Sequence, residues 1–366
     1  MIIPIKPWLE LAGHAGIHGS YERIQQGSTG LVLSSDPDSE AFAGACERLS
    51  PNGSGATTAH RMEFYHEPIM GAEILDALQP VEGKQVFDGT LGGGGHAELL
   101  LNHGAHVIGC DQDKTALDHA QRRLSGHGDR FLPVRGNFGD VDRILLGLGI
   151  DRVDGILLDL GVSSRQLEDA ARGFSFREEG PLDMRMDDRA DFSAKDLVNE
   201  WAEEDLVRIF REYGEERRAV RAAREIVAAR SEKEIETTLE LAAVVGRAIP
   251  KTGRRHPATR VFQAIRIAVN RELEVLETAL EKSVSMLSEG GVLAVITFHS
   301  LEDRIVKRFM HGRSDRFLDR PEWPAPKPNP DYAFDLPSRR ATTPKEDEVA
   351  RNPRARSAKL RVAVRI

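Results

Sequence analysis

The spacing of apolar positions changes character along the chain. Residues 1–61 keep no sustained period and are rich in Gly and Ser ("PNGSGATTAH"), which predicts a disordered extension. From "RMEFYHEPIM" onward, short apolar runs alternate with amphipathic stretches. "KQVFD", "AHVIGCD", "RFLPV" and "VDGILLDLG" read as strands, with "HAELLLNHG", "KTALDHAQRRL" and "DVDRILLGLG" as the helices between them. Such alternation predicts a parallel sheet covered by helices, the first half of a doubly wound α/β fold.

From about Ser193 to Leu287 the period becomes helical, through Leu197 and Trp201 and later Phe262, Ile265, Val269, Leu273, Leu276 and Leu280. This predicts an all-helical insert over 191–285, continuous with a long return helix. The sheet resumes at "GGVLAVITF", and "SLEDRIVKRFM" follows as a helix whose Ser-x-x-Asp start is read as a cap by Ser300, with His299 unassigned. Beyond the Pro-rich connection "PEWPAPKPNP", the stretch "RSAKLRVAVRI" alternates apolar and basic residues as a last strand with one wet or RNA-facing side. The expected division is a sheet domain of 62–190 and 286–366, interrupted by the insert.

Composition narrows the class. The 366 residues are 40% hydrophobic and 30% charged, an ordinary soluble balance, and no apolar run reaches the roughly 20 residues that span a bilayer. Cys46 and Cys110 stand far apart, so neither a disulfide framework nor a thiolate zinc site is expected, and a reducing cytoplasm fits best. Neither cysteine lies in a C-x-x-C pair, and no metal is expected. The formal charge of -8 argues against coating nucleic acid by bulk electrostatics, which leaves local basic faces to examine.

The chemistry begins at "VFDGTLGGGGHAELLL", residues 86–101. A glycine turn between a first strand and a helix lets a ligand approach backbone N–H groups at the helix start. Asp111 closes the second strand about 20 residues on, where a carboxylate can accept from ribose hydroxyls; the plain alternative is a helix cap, a role open to Asp113 as well. Asp88, at the end of the first strand, would repel a pyrophosphate but suits the amino group of a methionine moiety. That combination favours S-adenosylmethionine over NAD. Asp159 ends the fourth strand, where open α/β sheets place their ligands.

The motifs "HEPIM", "DGTLGGGGHAELLL", "GCDQD", "DGILLDLGVSSRQLEDAARGFSFREEGPLDMRMD", "RRHPATRVFQAIRIAVNRELE", "ITFHSLEDRIVKRF" and "NPRARSAKLRVA" resemble the bacterial 16S ribosomal RNA (cytosine-N4) methyltransferases, the MraW family, from about Tyr65 to the end. The resemblance implies a class I, Rossmann-like methyltransferase fold and a start near Met62. It implies cofactor contacts at Gly94, Gly95, His96, Asp111, Phe138, Asp159 and Gln166. Read without it, Phe138 is ordinary core and Gln166 a helix-surface residue. It also implies a substrate, one cytosine in the decoding centre of 16S RNA within the small ribosomal subunit. Asp159 is the candidate catalytic acceptor for the N4 proton, with cofactor contact alone as the competing role. One departure is Gly93, where many members carry a larger or charged residue; backbone approach is unharmed.

Two basic stretches are candidates for RNA. Lys251, Arg254, Arg255, Arg260, Arg266 and Arg271 form a run with no acid among them, and Arg354, Arg356, Lys359 and Arg361 lie near the C-terminus. The plain alternative is a solvated helix face. An apolar insert could also serve as a dimer face, so both monomer and homodimer remain open.

Overall fold

The computed structural model describes residues 68–251 and 256–366. The extension at 1–61, Met62, Arg254 and Arg255 lie outside the described residues. Helices α1 (Gly71–Leu78), α2 (Gly95–Asn102), α3 (Lys114–Arg123) and α4 (Val141–Gly147) alternate with strands β1 (Gln85–Asp88), β2 (His106–Asp111), β3 (Phe131–Arg135) and β4 (Val153–Asp159). After β4 come the short α5 (Ser164–Glu168), then α6 (Ala194–Glu200), α7 (Glu203–Glu212), α8 (Ala219–Glu232), α9 (Thr238–Ala248), α10 (Thr259–Asn270) and α11 (Glu272–Met286). The chain returns through β5 (Leu287–Thr297) and α12 (Ser300–Ser314), makes a small ribbon of β6 (Phe317–Leu318) and β7 (Lys327–Pro328), and ends with β8 (Phe334–Asp335), α13 (Glu346–Arg351) and β9 (Lys359–Arg365).

The main sheet runs β3-β2-β1-β4-β5-β9-β8. Strands β1 to β5 are parallel, whereas β9 is antiparallel to both β5 and β8. The order reverses between β1 and β4, so the loops leaving their carboxyl ends diverge and open a crevice. The central strands are nearly continuous apolar runs because helices cover both faces: Ile156, Leu157 and Leu158 of β4 and Leu293 to Ile296 of β5 are all buried. Packing is close enough to demand glycine inside β2, where a Cβ on Gly109 would lie 2.7 Å from Leu91, a residue of the glycine loop itself.

The helical region is not one body with a continuous return helix. Arg271 adopts a left-handed conformation (φ 51°) and separates α10 from α11. Phe262 and Ile265 of α10 pack with Phe174, Leu206, Phe210 and Leu241, whereas Leu276 and Leu280 of α11 pack with Phe87, Ile156 and Leu293 of the sheet. Packing therefore divides at Arg271 rather than at 285, and Phe174 to Met186 side with the insert. Both helices are amphipathic, so the apolar period runs through the break; glycine or asparagine, the usual sign of such a turn, is replaced here by arginine.

The start of α12 also differs from expectation. His299 is its N-cap, forming a reciprocal box with Glu302, and Ser300 Oγ instead donates to Glu215 at 2.9 Å. The overlapping His-x-x-Glu and Ser-x-x-Asp patterns differ by one residue, and Asp303 is taken by Lys359 (2.9 Å) and Arg361 (2.7 Å). The wet side of β9 is thus partly neutralised by α12. Replacing Gly109 by Ala should lower stability by about 1–3 kcal/mol in urea melts; an unchanged midpoint would show that Leu91 can yield without cost.

Candidate active site

Loops at the carboxyl ends of β1 to β5 line one cleft of about 720 Å³. Its first wall is the glycine turn. Gly92 (φ 50°) and Gly94 (φ 79°) take left-handed conformations, and Gly94 is the N-cap of α2 with its Cβ position 3.0 Å from Leu124. Gly92, Gly93, Gly95 and His96 face the cleft, while Gly94 supports the turn from behind. Across from it, Asp111 accepts from the Gly92 N–H through Oδ2 (2.8 Å) and from the Asp113 N–H through Oδ1 (2.9 Å). Asp113 is the cap of α3, accepting from Thr115 N–H at 2.9 Å. Asp111 therefore shapes the turn and borders the cleft at once, which neither sequence reading contains.

Gln166 is buried. Its Oε1 and backbone N–H form a capping box with Ser163, and its Nε2 donates to Asp113 at 3.2 Å. Phe138 is half-buried on the cleft wall beside Asn137, which is held by Gln112 at 3.3 Å. Gln112, Asn137 and Thr90 were not singled out in sequence. Thr90 matters most, because its hydroxyl accepts from the Asp159 N–H at 2.6 Å and its own N–H donates to Asp88 at 3.1 Å, linking β1 to β4. Its only signal is its place two residues after a strand-terminal Asp.

His96 and Asp159 line the cleft, and their charges act on a third titratable side chain, the buried Asp88. His96 Nε2 lies 3.5 Å from Asp159 Oδ2, an ion-pair separation too long for a good hydrogen bond. Asp88 Oδ2, both His96 ring nitrogens and Asp159 Oδ1 are buried with no hydrogen-bond partner among the described residues. Orphaned polar atoms of this kind are costly, and four in one place mark a site that a polar ligand completes. Burial pushes the Asp88 carboxyl up to about 7, against the opposing pull of His96 and with help from the charges of Asp159 and Asp111. Burial works against a charge on His96, yet Asp159 and Asp88 together hold it above its ordinary value. Burial likewise raises Asp111 to about 6.

The opposite wall comes from α10, α11 and the start of α12, including Phe262, Gln263, Arg266, Glu272 and His299. Glu272, His299 and Glu302 approach closely enough to resemble a metal cluster. The donor set does not fit an ion: Glu272 is bound through both oxygens by Arg266 (2.8 Å each), and Glu302 Oε2 caps the Phe298 and His299 N–H groups.

The expected RNA contacts scatter. Arg354 borders the cleft but is held by Ser164 Oγ and by Glu168 (2.7 Å). Arg260 donates to the Glu215 carbonyl (3.1 Å) and lies 3.8 Å from Glu216, away from the cleft lining. Lys251 and Arg356 are exposed and have no ion-pair partner among the described residues. The run around Arg266 and Arg271 is not uncompensated: Glu272 and Glu274, just beyond it, neutralise both.

With this geometry in view, comparison with known proteins is decisive. The MraW methylase family matches residues 63–366. The chain belongs to that family. "Ribosomal RNA small subunit methyltransferase H" of Carboxydothermus hydrogenoformans is 47% identical over 308 residues, 83% of this chain and 99% of the relative. The protein of the same name from Syntrophotalea carbinolica is 49% identical over 312 residues, 84% and 99% of the two chains. Among solved structures, an rRNA methylase from Streptococcus thermophilus aligns over 80% of this chain and 93% of its own, at 12% identity and a TM-score of 0.37. The sheet, with its switch point between β1 and β4 and antiparallel β9, is that of a class I methyltransferase.

The Asp88 pKa carries a stability prediction. A carboxyl raised in the folded state contributes stability that is fully present below its unfolded value of 3.8 and is lost as pH rises through about 7. Asp88→Asn should therefore gain stability relative to the parent as pH rises from about 4 to about 7, then level off. Urea melts of both proteins across this range test it, and a pH-independent difference would mean that folding does not raise the Asp88 pKa.

Proposed function

We propose that the protein transfers a methyl group from S-adenosylmethionine to N4 of a cytosine in the decoding centre of 16S RNA, with the small ribosomal subunit as substrate and the cytoplasm as its place of work. The observation that carries the cofactor reading is the set of orphaned acidic and imidazole atoms beside a glycine turn. A methionine ammonium would sit in the negative field of the buried Asp88, the glycine turn admits close backbone approach, and Asp111 keeps a lone pair on each oxygen for ribose hydroxyls. Phe138 supplies a face for adenine. The same acids disfavour NAD, whose pyrophosphate would meet Asp88 and Asp159. The RNA reading rests on the relatives, which are named as small-subunit rRNA methyltransferases.

The bound cofactor would supply an electrophilic methyl on a sulfonium. The chain must hold a weak nucleophile in line with it and take up a proton, because the N4 lone pair of cytosine is delocalised into the ring. Asp159 Oδ1 is buried at the cleft and unpartnered, so it can accept the N4 proton as the N–C bond forms and the C–S pair stays with sulfur. Thr90 fixes the backbone of Asp159, and His96 lies against its other oxygen. "DLGV" at 159–162 lacks the Pro-Pro-aromatic loop typical of DNA amino-methyltransferases, which favours RNA.

Labelled S-adenosylmethionine and under-modified small subunits test the reading, with the methyl group mapped by mass spectrometry; no label on cytosine N4 defeats it. In the same assay Asp159→Asn should lower kcat by about 10²–10⁴ while cofactor Kd stays within a few fold. Parallel loss of both would assign Asp159 to cofactor binding alone.

A further inference from the structure

Among the described residues, most of the arginines expected to meet RNA are neutralised by acids of the chain itself: Arg266 by Glu272, Arg271 by Glu274, Arg354 by Glu168 and Arg361 by Asp303. A different set is not. Arg217, Arg218 and Arg221 are all exposed, and none has an ion-pair partner among the described residues. On the neighbouring surface pairing is the rule, as with Arg208 to Asp205 and Arg224 to Glu203.

These three side chains also break a local rule. They cluster where α8 begins, yet that helix has no acid in its first turn and no side-chain cap from Arg218. The helix dipole favours acids there and disfavours cations. Residues that contradict local preference without a compensating contact in the fold concentrate at functional surfaces.

Their position supplies the function. The turn before them is bonded to the elements that wall the cleft: Gln263 Nε2 donates to the Tyr213 carbonyl (3.0 Å), Arg260 to that of Glu215 (3.1 Å), and the Glu215 carboxylate accepts from Ser300 Oγ (2.9 Å). Gln263 and His299 both line the cleft, and Arg217 and Arg218 follow directly after the turn bonded to Gln263 and to Ser300, the neighbour of His299. We propose that Arg217, Arg218 and Arg221 form a phosphate-binding rim that grips the RNA backbone flanking the target nucleotide. This rests on the reading of the substrate as RNA. A chain of net charge -8 gains little from bulk attraction to a polyanion, so affinity must come from such a local cluster.

The test is R217E/R218E/R221E, with protein-free 16S RNA as the probe and equilibrium binding as the readout, so that no methyl transfer is needed. The Kd should rise about tenfold or more, and the slope of log K against log salt should fall by about 2–3. The thermal midpoint should hold or rise, because acids replace cations at the start of α8. Unchanged Kd and salt slope overturn the proposal. So does a variant that binds protein-free RNA normally but loses affinity for the intact subunit, since the arginines would then meet a ribosomal protein. Normal binding changes with no methyl transfer by the parent would leave the rim standing and defeat the methyltransferase reading.

Discussion

The cleft is organised around the burial of Asp88, His96 and Asp159 with too few partners. A folded chain pays heavily for unsatisfied polar atoms, and this one concentrates four of them between β1, α2 and β4. The surrounding structure makes that arrangement tenable. Thr90 ties the two strand ends together, and Asp111 holds the glycine turn by its Gly92 N–H. The parallel sheet, buried on both faces, keeps those ends from relaxing toward water. A ligand carrying positive charge would relieve the strain, which is how a rigid scaffold converts local instability into binding free energy.

Charge is distributed by the same logic on the other wall. Arg266 and Glu272 form a nearly buried bidentate pair across the α10–α11 junction, and Glu302 fixes both His299 and the end of β5. Replacing such a pair by apolar side chains is often neutral or stabilising, so its contribution is directional. It ties α10 to α11 across Arg271, where the chain takes a conformation that arginine rarely adopts. The two halves of the cleft are therefore held in relation by electrostatics as well as by the apolar contacts of α11.

Much of this was legible in the chain. The four strands, their helices and the glycine turn follow from periods of two and 3.6 and from turn chemistry, because local backbone preference and global topology agree there. Asp111 and Asp159 were legible because strand ends and their spacing to a glycine turn have fixed consequences in this topology. What sequence could not show was pairing between distant residues. A run of arginines without internal acids looked uncompensated, yet Glu272, Glu274, Glu168 and Asp303 come from neighbouring or remote elements. Gln166 looked like surface for the same reason, since its burial depends on Asp113, 53 residues away.

The cap of α12 shows how a one-residue ambiguity carries chemical weight. Had Ser300 been the cap, His299 would have been a free side chain at the cleft. With His299 as cap, its ring is committed to the backbone N–H of Glu302 and its neighbour Ser300 is released to clasp Glu215. That clasp ties the turn before α8 to the start of α12, whose cap His299 lines the cleft. A single shift in capping register thus decides whether the turn that precedes the insert's exposed arginines is tied to the start of α12.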